Sequence, residues 1–285
     1  MSGTPPEETL VDVARKRGQW ETRSWKAVRV WTPPAIVFVL FIAIWWLASA
    51  TIYGDKNYLL PRPPQVWQAG VDNAGLLWEG LRITAWEALL GFTVAIIVGV
   101  SAAVIMSLSK TLERSFYPYA VLLQTVPIVA VAPIIVLWFG YGTGSVVAIS
   151  FLIAVFPILN NSLLGLLSAD RNHVDLFRMH RASKAVAFFK LRLPGALPSI
   201  FAGLRISSGL AVVGAIVGEF IIGSGGEAGG LGVKVIFAQA RLATGLLFAE
   251  VAVATLLGFA FFLIVSLLGT RLIKNWHESA LKHDS

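Results

Sequence analysis

The chain has 285 residues, of which 56% are hydrophobic and 14% are charged, and its mean hydropathy is +0.73. Soluble domains carry about 25% charged residues, so this deficit, together with long uncharged runs, indicates an integral membrane protein. The absence of cysteine excludes disulfides, thiolate metal sites and cysteine nucleophiles. We attribute the net charge of +7 to loops beside the membrane and not to nucleic-acid binding, because cytoplasmic loops of membrane proteins are rich in Lys and Arg.

Apolar segments long enough to cross a bilayer, which takes about 20 residues, recur along the chain. We expect transmembrane helices at residues 33–52, 83–108, 119–139, 145–167, 200–222 and 246–268. The predicted fold is therefore all-α, a polytopic membrane protein with about six transmembrane helices. Residues 1–32 form the predicted N-terminal tail, residues 33–270 the transmembrane domain and residues 271–285 the C-terminal tail.

Lys and Arg are distributed unequally between the two sides of these spans. Both tails and the loops after the second and fourth spans, with Arg205, hold 18 of the 23, and the remaining segments hold five. The positive-inside rule then places both termini and the segment 168–198 in the cytoplasm, with the chain in the plasma (inner) membrane.

Prolines and glycines are expected to affect the shape and packing of these helices. Pro127 and Pro133 in the third span and Pro157 in the fourth are expected to bend or break their helices. Glycines in the spans, such as Gly209 and Gly214, allow helices to approach closely. Residues 231–240 form an amphipathic pattern, which predicts a short helix outside the spans. The glycine-rich run 223–232 lacks the G-x-x-x-x-G-K-[ST] pattern, so we interpret it as an outer turn and not as an ATP site.

Four polar residues within the spans are candidates for a translocation path: Glu87, Gln124, Glu219 and Glu250. Acidic side chains are costly inside a membrane and often functional there. The three glutamates are predicted near the outer ends of their spans, so interfacial snorkelling or hydrogen bonding to neighbouring helices is the simpler interpretation. For Gln124, packing between helices is the simpler one.

The polar segment 168–198 separates two long apolar runs. Arg178, Arg181 and Lys184 recur at every third position, which predicts a basic ridge, and residues 175–190 can form one or two short helices. Leu176, Met179, Val186, Phe188 and Phe189 add apolar contact surface. A basic loop by itself is a topogenic signal, whereas an amphipathic cytoplasmic helix can also dock in a groove of a soluble partner.

The sequence of this segment resembles that of the cytoplasmic loop of ABC importer permeases. In that family the loop is approximately E-A-A-x-x-x-G, nine residues, then I-x-L-P. The resemblance rests on Arg181-Ala182-Ser183-Lys184 and on Leu191-Arg192-Leu193-Pro194-Gly195-Ala196-Leu197-Pro198. Residues 59–67, 133–140, 156–161 and 200–205 resemble the family as well. The chain is most similar to the branch that imports nitrate, sulfonates, taurine or pyrimidine-type vitamin precursors, and residues 214–220 favour the last group.

The loop also departs from the family pattern. Counting back from Pro194, the family's Glu-Ala-Ala falls on Asp175, Leu176 and Phe177, and its glycine falls on Arg181. A glycine allows the chain to turn between two short helices, and an arginine lacks that conformational freedom. We therefore expect Ala182 and Ser183 to form the turn instead.

The resemblance implies a type I ABC importer-like permease fold and an ATP-driven mechanism with no cofactor on this chain. Two permease copies, or this chain and a relative, would form the path for a small polar solute. Two cytoplasmic ABC ATPases would bind below, and an extracytoplasmic solute-binding protein would deliver substrate. The coupling residues would be Asp175, Leu176, Phe177, Arg178, Arg181, Ala182, Ser183, Lys184, Leu193 and Pro194.

Two alternatives belong to other classes of protein. A secondary transporter driven by an ion gradient usually carries internal repeats and midplane acids, and this chain shows no clear repeat. An intramembrane enzyme needs a pair of catalytic groups, and none is convincing in this sequence. The chain is accordingly expected to be a transport subunit and not an enzyme.

Overall fold

A computed structural model describes residues 32–52, 59–223 and 229–281, except for the side chains of residues 171 and 273–281. Every regular element in these ranges is helical. The elements are α1 Thr32–Thr51, α2 Pro63–Asp72, α3 Ala74–Ser107, α4 Lys110–Thr125, α5 Ile128–Phe139, α6 Thr143–Leu167, α7 Arg171–Met179, α8 Lys184–Ala187, a π-helical segment Phe188–Arg192, α9 Leu193–Ile222, α10 Leu231–Ala240 and α11 Thr244–Leu281. The chain divides into two compact units, Met1–Gln65 and Val66–Ser285.

The first unit contains α1, which confirms the first predicted span to within one residue at each end. Its large apolar side chains are mostly exposed, as a helix that faces lipid requires. The indole N–H of Trp45 donates a hydrogen bond of 3.1 Å to the carbonyl of Pro61. This bond ties the helix to the proline-containing segment that follows it.

In the second unit, four helices are long and apolar enough to span a membrane, and the bent pair α4 and α5 supplies a further candidate. With α1, the described residues hold five such helices, or six when the bent pair is counted as one span. The predicted number and order of spans are therefore confirmed. Helix α11 extends past the end of the sixth predicted span, to Leu281.

The third predicted span is the bent one, with an angle of 101° between α4 and α5. Helix α4 ends at Thr125 and Pro127 occupies the N-cap of α5, so the predicted break lies at this proline. Proline restricts the preceding residue to extended backbone, and Val126 has φ −65° and ψ 122°. Neither Pro133 nor Pro157 breaks its helix, because α5 and α6 continue through them.

The core of the second unit is built where α9 packs against α6 and α3. The hydroxyl of Ser150 donates to the carbonyl of Ala211 at 2.8 Å, and that of Ser207 donates to Ala154 at 2.7 Å. Small residues let the backbones approach closely enough for these bonds. At Gly214, an added Cβ would lie 2.7 Å from the Cα of Ser150.

The fifth span begins earlier than predicted. Residues 193–198 were expected in the loop, but they form the first turns of α9, and the helical run is continuous from Lys184 to Ile222. Pro194 lies in the first turn of α9, which follows the π-helical segment Phe188–Arg192 without a break. The predicted helix at residues 231–240 is confirmed as α10, which packs against α3, α9 and α11.

The predicted outer turn is described only in part. Residues 224–228 lie outside the described residues, as do residues 1–31 of the N-terminal tail and residues 282–285 of the C-terminal tail. Gly223 closes α9 with φ +60°, a left-handed conformation that glycine adopts without strain.

Candidate functional site

The polar segment between α6 and α9 folds into two short helices with side-chain caps. Asp170 caps α7 by accepting a hydrogen bond of 2.8 Å from the N–H of Asn172. Ser183 caps α8 by accepting one of 3.3 Å from the N–H of Val186. Such caps satisfy backbone donors that have no partner within the helix. The prediction of one or two short helices is confirmed.

The turn between α7 and α8 passes through Arg181, whose φ is +51°. The N–H of Arg181 bonds to the carbonyl of Arg178 at 2.9 Å, and the N–H of Ala182 bonds to that of Phe177 at 3.0 Å. These two bonds define a Schellman motif, in which glycine usually holds the left-handed position. Arg181 thus keeps the conformation expected of the family's glycine, and the expectation that Ala182 and Ser183 would replace it is wrong.

The surface of this segment is both basic and apolar. Arg178, Arg181 and Lys184, the residues of the predicted basic ridge, are exposed and lie in α7, in the turn and in α8 respectively. Met179 is 83% exposed and Phe189 is 66% exposed. Leu176 is also exposed, whereas Phe177 is half-buried. We call the exposed side chains of α7, the turn, α8 and Phe189 the α7–α8 surface.

The α7–α8 surface is joined to the bundle through the π-helical segment. This segment carries the chain from α8 into α9 without a break, and Leu193 and Pro194 are the first residues of α9. Within the segment, the guanidinium of Arg192 donates a hydrogen bond of 3.4 Å to the carbonyl of Ser107 at the end of α3. A cation at the C-terminal end of a helix complements the helix dipole. The segment is therefore continuous with α9 and bonded to the end of α3.

The predicted path residues divide into two groups. Glu87, Glu219 and Glu250 are buried, with exposures of 4%, 2% and 1%, so interfacial snorkelling is wrong for all three. Gln124 lies apart from them near the end of α4, and its side chain is exposed, so the packing role is wrong within this chain.

Glu219 contacts a neighbouring helix, as predicted. Its Oε1 accepts a hydrogen bond of 2.7 Å from the hydroxyl of Thr84, and its Oε2 accepts one of 2.6 Å from the N–H of Gly232. The Thr84 hydroxyl in turn accepts one of 2.8 Å from the N–H of Leu231. A carboxylate at a helix N-terminus satisfies unpaired N–H groups and complements the helix dipole. Glu219 and Thr84 therefore anchor the start of α10.

The other two glutamates extend this cluster. The carboxyl of Glu87 contacts the side chains of Glu219 and Thr143. Glu250 lies close enough to Lys234 of α10 for the two charges to attract. Lys234 is 2% exposed, and its Nζ lies 3.3 Å from Oε2 of Glu79. These side chains join α3, α9, α10 and α11 at the end of α9 opposite the α7–α8 surface.

Sequence reasoning missed Lys234 and Thr84. A lysine within the mostly apolar run 231–240 was a usable signal, because a cation there needs an acidic partner when it is buried. Thr84 offered no such signal, since one threonine in a span is ordinary. Its role depends on the approach of α9 and α10 to α3.

Comparison with known proteins identifies the family. Residues 95–276 match the family described as binding-protein-dependent transport system inner membrane component. The chain belongs to this family. A probable ABC transporter permease protein of Haemophilus influenzae is 35% identical over 219 residues, which cover 77% of this chain and 87% of that protein.

Two further relatives carry more specific names. The formylaminopyrimidine transport permease protein ThiX of Halalkalibacterium halodurans is 37% identical over 200 residues, which cover 70% of this chain and 78% of that one. The riboflavin transport system permease protein RibX of Chloroflexus aurantiacus is 33% identical over 214 residues, with coverages of 74% and 78%.

Solved structures agree on the fold. The inward-facing MetNI methionine ABC transporter matches with a TM-score of 0.59 at 16% identity, covering 72% of this permease and 97% of that chain. An amino acid ABC transporter with histidines matches with a TM-score of 0.57 at 18% identity, with coverages of 72% and 96%. The fold is that of type I ABC importers.

The chain is therefore a permease subunit of an ABC importer, a multi-pass inner-membrane protein and a transport component rather than an enzyme. This family membership favours ATP-driven import over the alternative of a secondary transporter. Membership also implies ATPase and binding-protein partners in general.

Proposed function

We propose that the α7–α8 surface docks on a cytoplasmic ABC ATPase and transmits its movement to the spans. The observation that carries this proposal is the exposure of Leu176, Met179 and Phe189 beside Arg178 and Lys184 on a rigid, capped segment. Exposed apolar side chains ringed by charge are typical of a protein interface. Docking on a soluble protein explains why these apolar side chains lie outside the helical bundle.

The transmission follows from helix continuity. The run from Lys184 to Ile222 is helical over 39 residues, and it includes the π-helical segment. Closure of the ATPases would displace its α8 end, and Arg192 would carry the displacement to α3 through Ser107. A docked rigid element of this kind supports a switch between inward and outward access.

Charge reversal tests the docking. Arg178→Glu combined with Lys184→Glu is expected to reduce co-purification of the ATPase, because both cations would become anions at the interface. The matched control is Lys110→Glu with Arg114→Glu, which reverses two cations on α4, outside the α7–α8 surface. Undiminished yield of ATPase with the first pair would contradict the proposal. Equal losses with both pairs would indicate a general charge effect and contradict it as well.

We propose that the complete importer holds two permease copies, two ATPases and an extracytoplasmic binding protein, with both termini of the permease in the cytoplasm. The excess of Lys and Arg in the tails and in the α7–α8 segment supports this orientation. Because the chain contains no cysteine, single cysteines at residues 179 and 242 can be labelled with a membrane-impermeant maleimide in intact cells. Labelling at 242 and not at 179 is expected, and the reverse pattern would overturn the orientation.

We propose that Glu87, Gln124, Glu219 and Glu250 contact or border the translocation path. Gln124 is exposed beside the break between α4 and α5, where it can contact a solute directly. The three buried glutamates can border the path through the position of α10. Wild-type uptake by a Glu219→Gln variant would remove Glu219 from this role.

We propose a heteroaromatic vitamin precursor as the class of small polar substrate. Support comes from the relatives named for formylaminopyrimidine and riboflavin transport, at 37% and 33% identity. A sulfonate is the second candidate, because an aliphatic sulfonates transport permease of Escherichia coli is 33% identical over 195 residues. Ligand identification on the cognate binding protein decides between them, since that protein selects the solute.

A further inference from the structure

A groove of about 1080 Å³ opens between α3 and α11 and reaches Thr143 at the start of α6. Its walls are apolar, with Leu81, Leu89 and Phe92 on one side and Phe261 on the other. An apolar chain fits these walls, and the polar side chains of the lining are those of Glu79, Arg82, Glu87 and Thr143. We call this feature the α3–α11 groove.

The polar rim of the groove lies at the N-terminal end of α3. Trp78, Arg82 and Trp86 are four residues apart, so they share one face of the helix. All three are exposed. Glu79 is engaged with Lys234, whereas Arg82 has no hydrogen bond or ion pair with any other part of the chain that the structure describes. The carboxyl of Glu87, which also lines the groove, is buried against Glu219 and Thr143.

This rim has the chemistry that recognises a phospholipid headgroup. Tryptophan is enriched where the hydrocarbon core meets the headgroups. An arginine between two tryptophans offers a guanidinium whose geometry matches a phosphate group. Along the groove, α3 rises about 21 Å from Trp78 to Phe92 at 1.5 Å per residue. Half of a bilayer core about 30 Å thick is about 15 Å, so an acyl chain anchored at the rim can lie within the groove.

We propose that the α3–α11 groove binds a phospholipid, with its phosphate on Arg82 and one acyl chain along Leu89, Phe92 and Phe261. This assignment is independent of the proposed ATPase coupling. It accounts for the unpaired cation and the apolar walls with one ligand that every cell membrane supplies. A helix of a second permease copy would fill the walls, but it would also have to bring an acid to Arg82.

Lipid retention by the purified full-length chain tests the proposal. Phospholipid is counted by native mass spectrometry after extraction in mild detergent, and then after titration with mixed micelles of phosphatidylethanolamine or phosphatidylglycerol. Arg82→Gln removes a charge-assisted contact, so an affinity loss of about tenfold is expected. Arg114→Gln is the matched control, because Arg114 is an exposed cation on α4 outside the groove. Leu89→Trp narrows the groove and is expected to reduce retention without changing charge.

The possible outcomes distinguish a bound phospholipid from a helix of a second permease copy. Equal retention by wild type, Arg82→Gln and Arg114→Gln would overturn the proposal. Displacement of the lipid by millimolar inorganic phosphate would also overturn it, because the acyl chain would then contribute nothing. An Ile264→Cys variant that cross-links quantitatively to a second copy and retains no phospholipid would assign the groove to a subunit interface instead. Loss of phospholipid from Arg82→Gln and from Leu89→Trp, with normal retention by Arg114→Gln, supports the lipid site.

Discussion

The hydroxyl of Thr84 donates a hydrogen bond of 2.7 Å to Oε1 of Glu219, across 135 residues of sequence. The same hydroxyl accepts the N–H of Leu231 at 2.8 Å, so one side chain of α3 joins α9 to the start of α10. Both side chains are buried inside the bundle, and a buried polar group that loses its partner bears the full cost of desolvation. This relay fixes α10 against the bundle.

Removing the Thr84 hydroxyl should therefore destabilise the protein. Thr84→Val leaves the N–H of Leu231 and one oxygen of Glu219 without that partner, which should lower the free energy of unfolding by about 2 kcal/mol. Thr84→Ser keeps the hydroxyl and should lose much less. Thr93→Val is the matched control on the same helix, because the exposed Thr93 bonds only to the carbonyl of Leu89. Thermal unfolding in detergent measures the differences, and equal losses for Thr84→Val and Thr93→Val would refute the relay.

The buried Lys234 should stabilise α10 through its acidic neighbours. Lys234→Met removes the cation that lies near the buried Glu250 and that pairs with Glu79, so it should lower the free energy of unfolding. Adding Glu250→Gln removes the unpaired acid, so the double variant should be more stable than Lys234→Met alone. A double-mutant cycle in unfolding free energy measures this coupling. Additive effects of the two substitutions would show that the pair does not interact.

Two glycines of α9 should respond oppositely to alanine. At Gly214 a Cβ would lie 2.7 Å from the Cα of Ser150, so Gly214→Ala should force α6 and α9 apart and cost about 2 kcal/mol. At Gly209 a Cβ would meet nothing within 4 Å, so Gly209→Ala should stabilise α9 by up to about 1 kcal/mol through helix propensity. Unfolding free energies of the two variants give the comparison. Similar changes in both would contradict the close packing of α6 on α9.

Glycine should relieve the left-handed strain at Arg181. A non-glycine residue in this conformation costs about 1 kcal/mol, so Arg181→Gly should protect the amides of α7 and α8 more strongly against hydrogen exchange. Leu242→Gly tests the same effect at a second position, because Leu242 has φ +55° at the end of α10. Arg178→Gly should do the reverse, because it introduces glycine within α7. Weaker protection in Arg181→Gly would mean that the arginine side chain holds the turn.

The sequence could predict the features that depend on local chemistry. Apolar length set the number of spans, and the steric restriction before Pro127 set the break in the third one. The apolar and charged residues of the segment 168–198 predicted a helical surface, for which we propose an ABC ATPase as the partner. Each of these properties is encoded within about 20 neighbouring residues, so no knowledge of distant contacts was needed.

Other features were decided by the tertiary structure alone. Sequence position suggested that Glu219 lay near a membrane interface, but the packing of α3 and α10 buries it and supplies its donors. Burial and pairing depend on which distant helices meet. The chain alone therefore determined its spans and its class, and only the packed bundle determined what its buried acids hold in place.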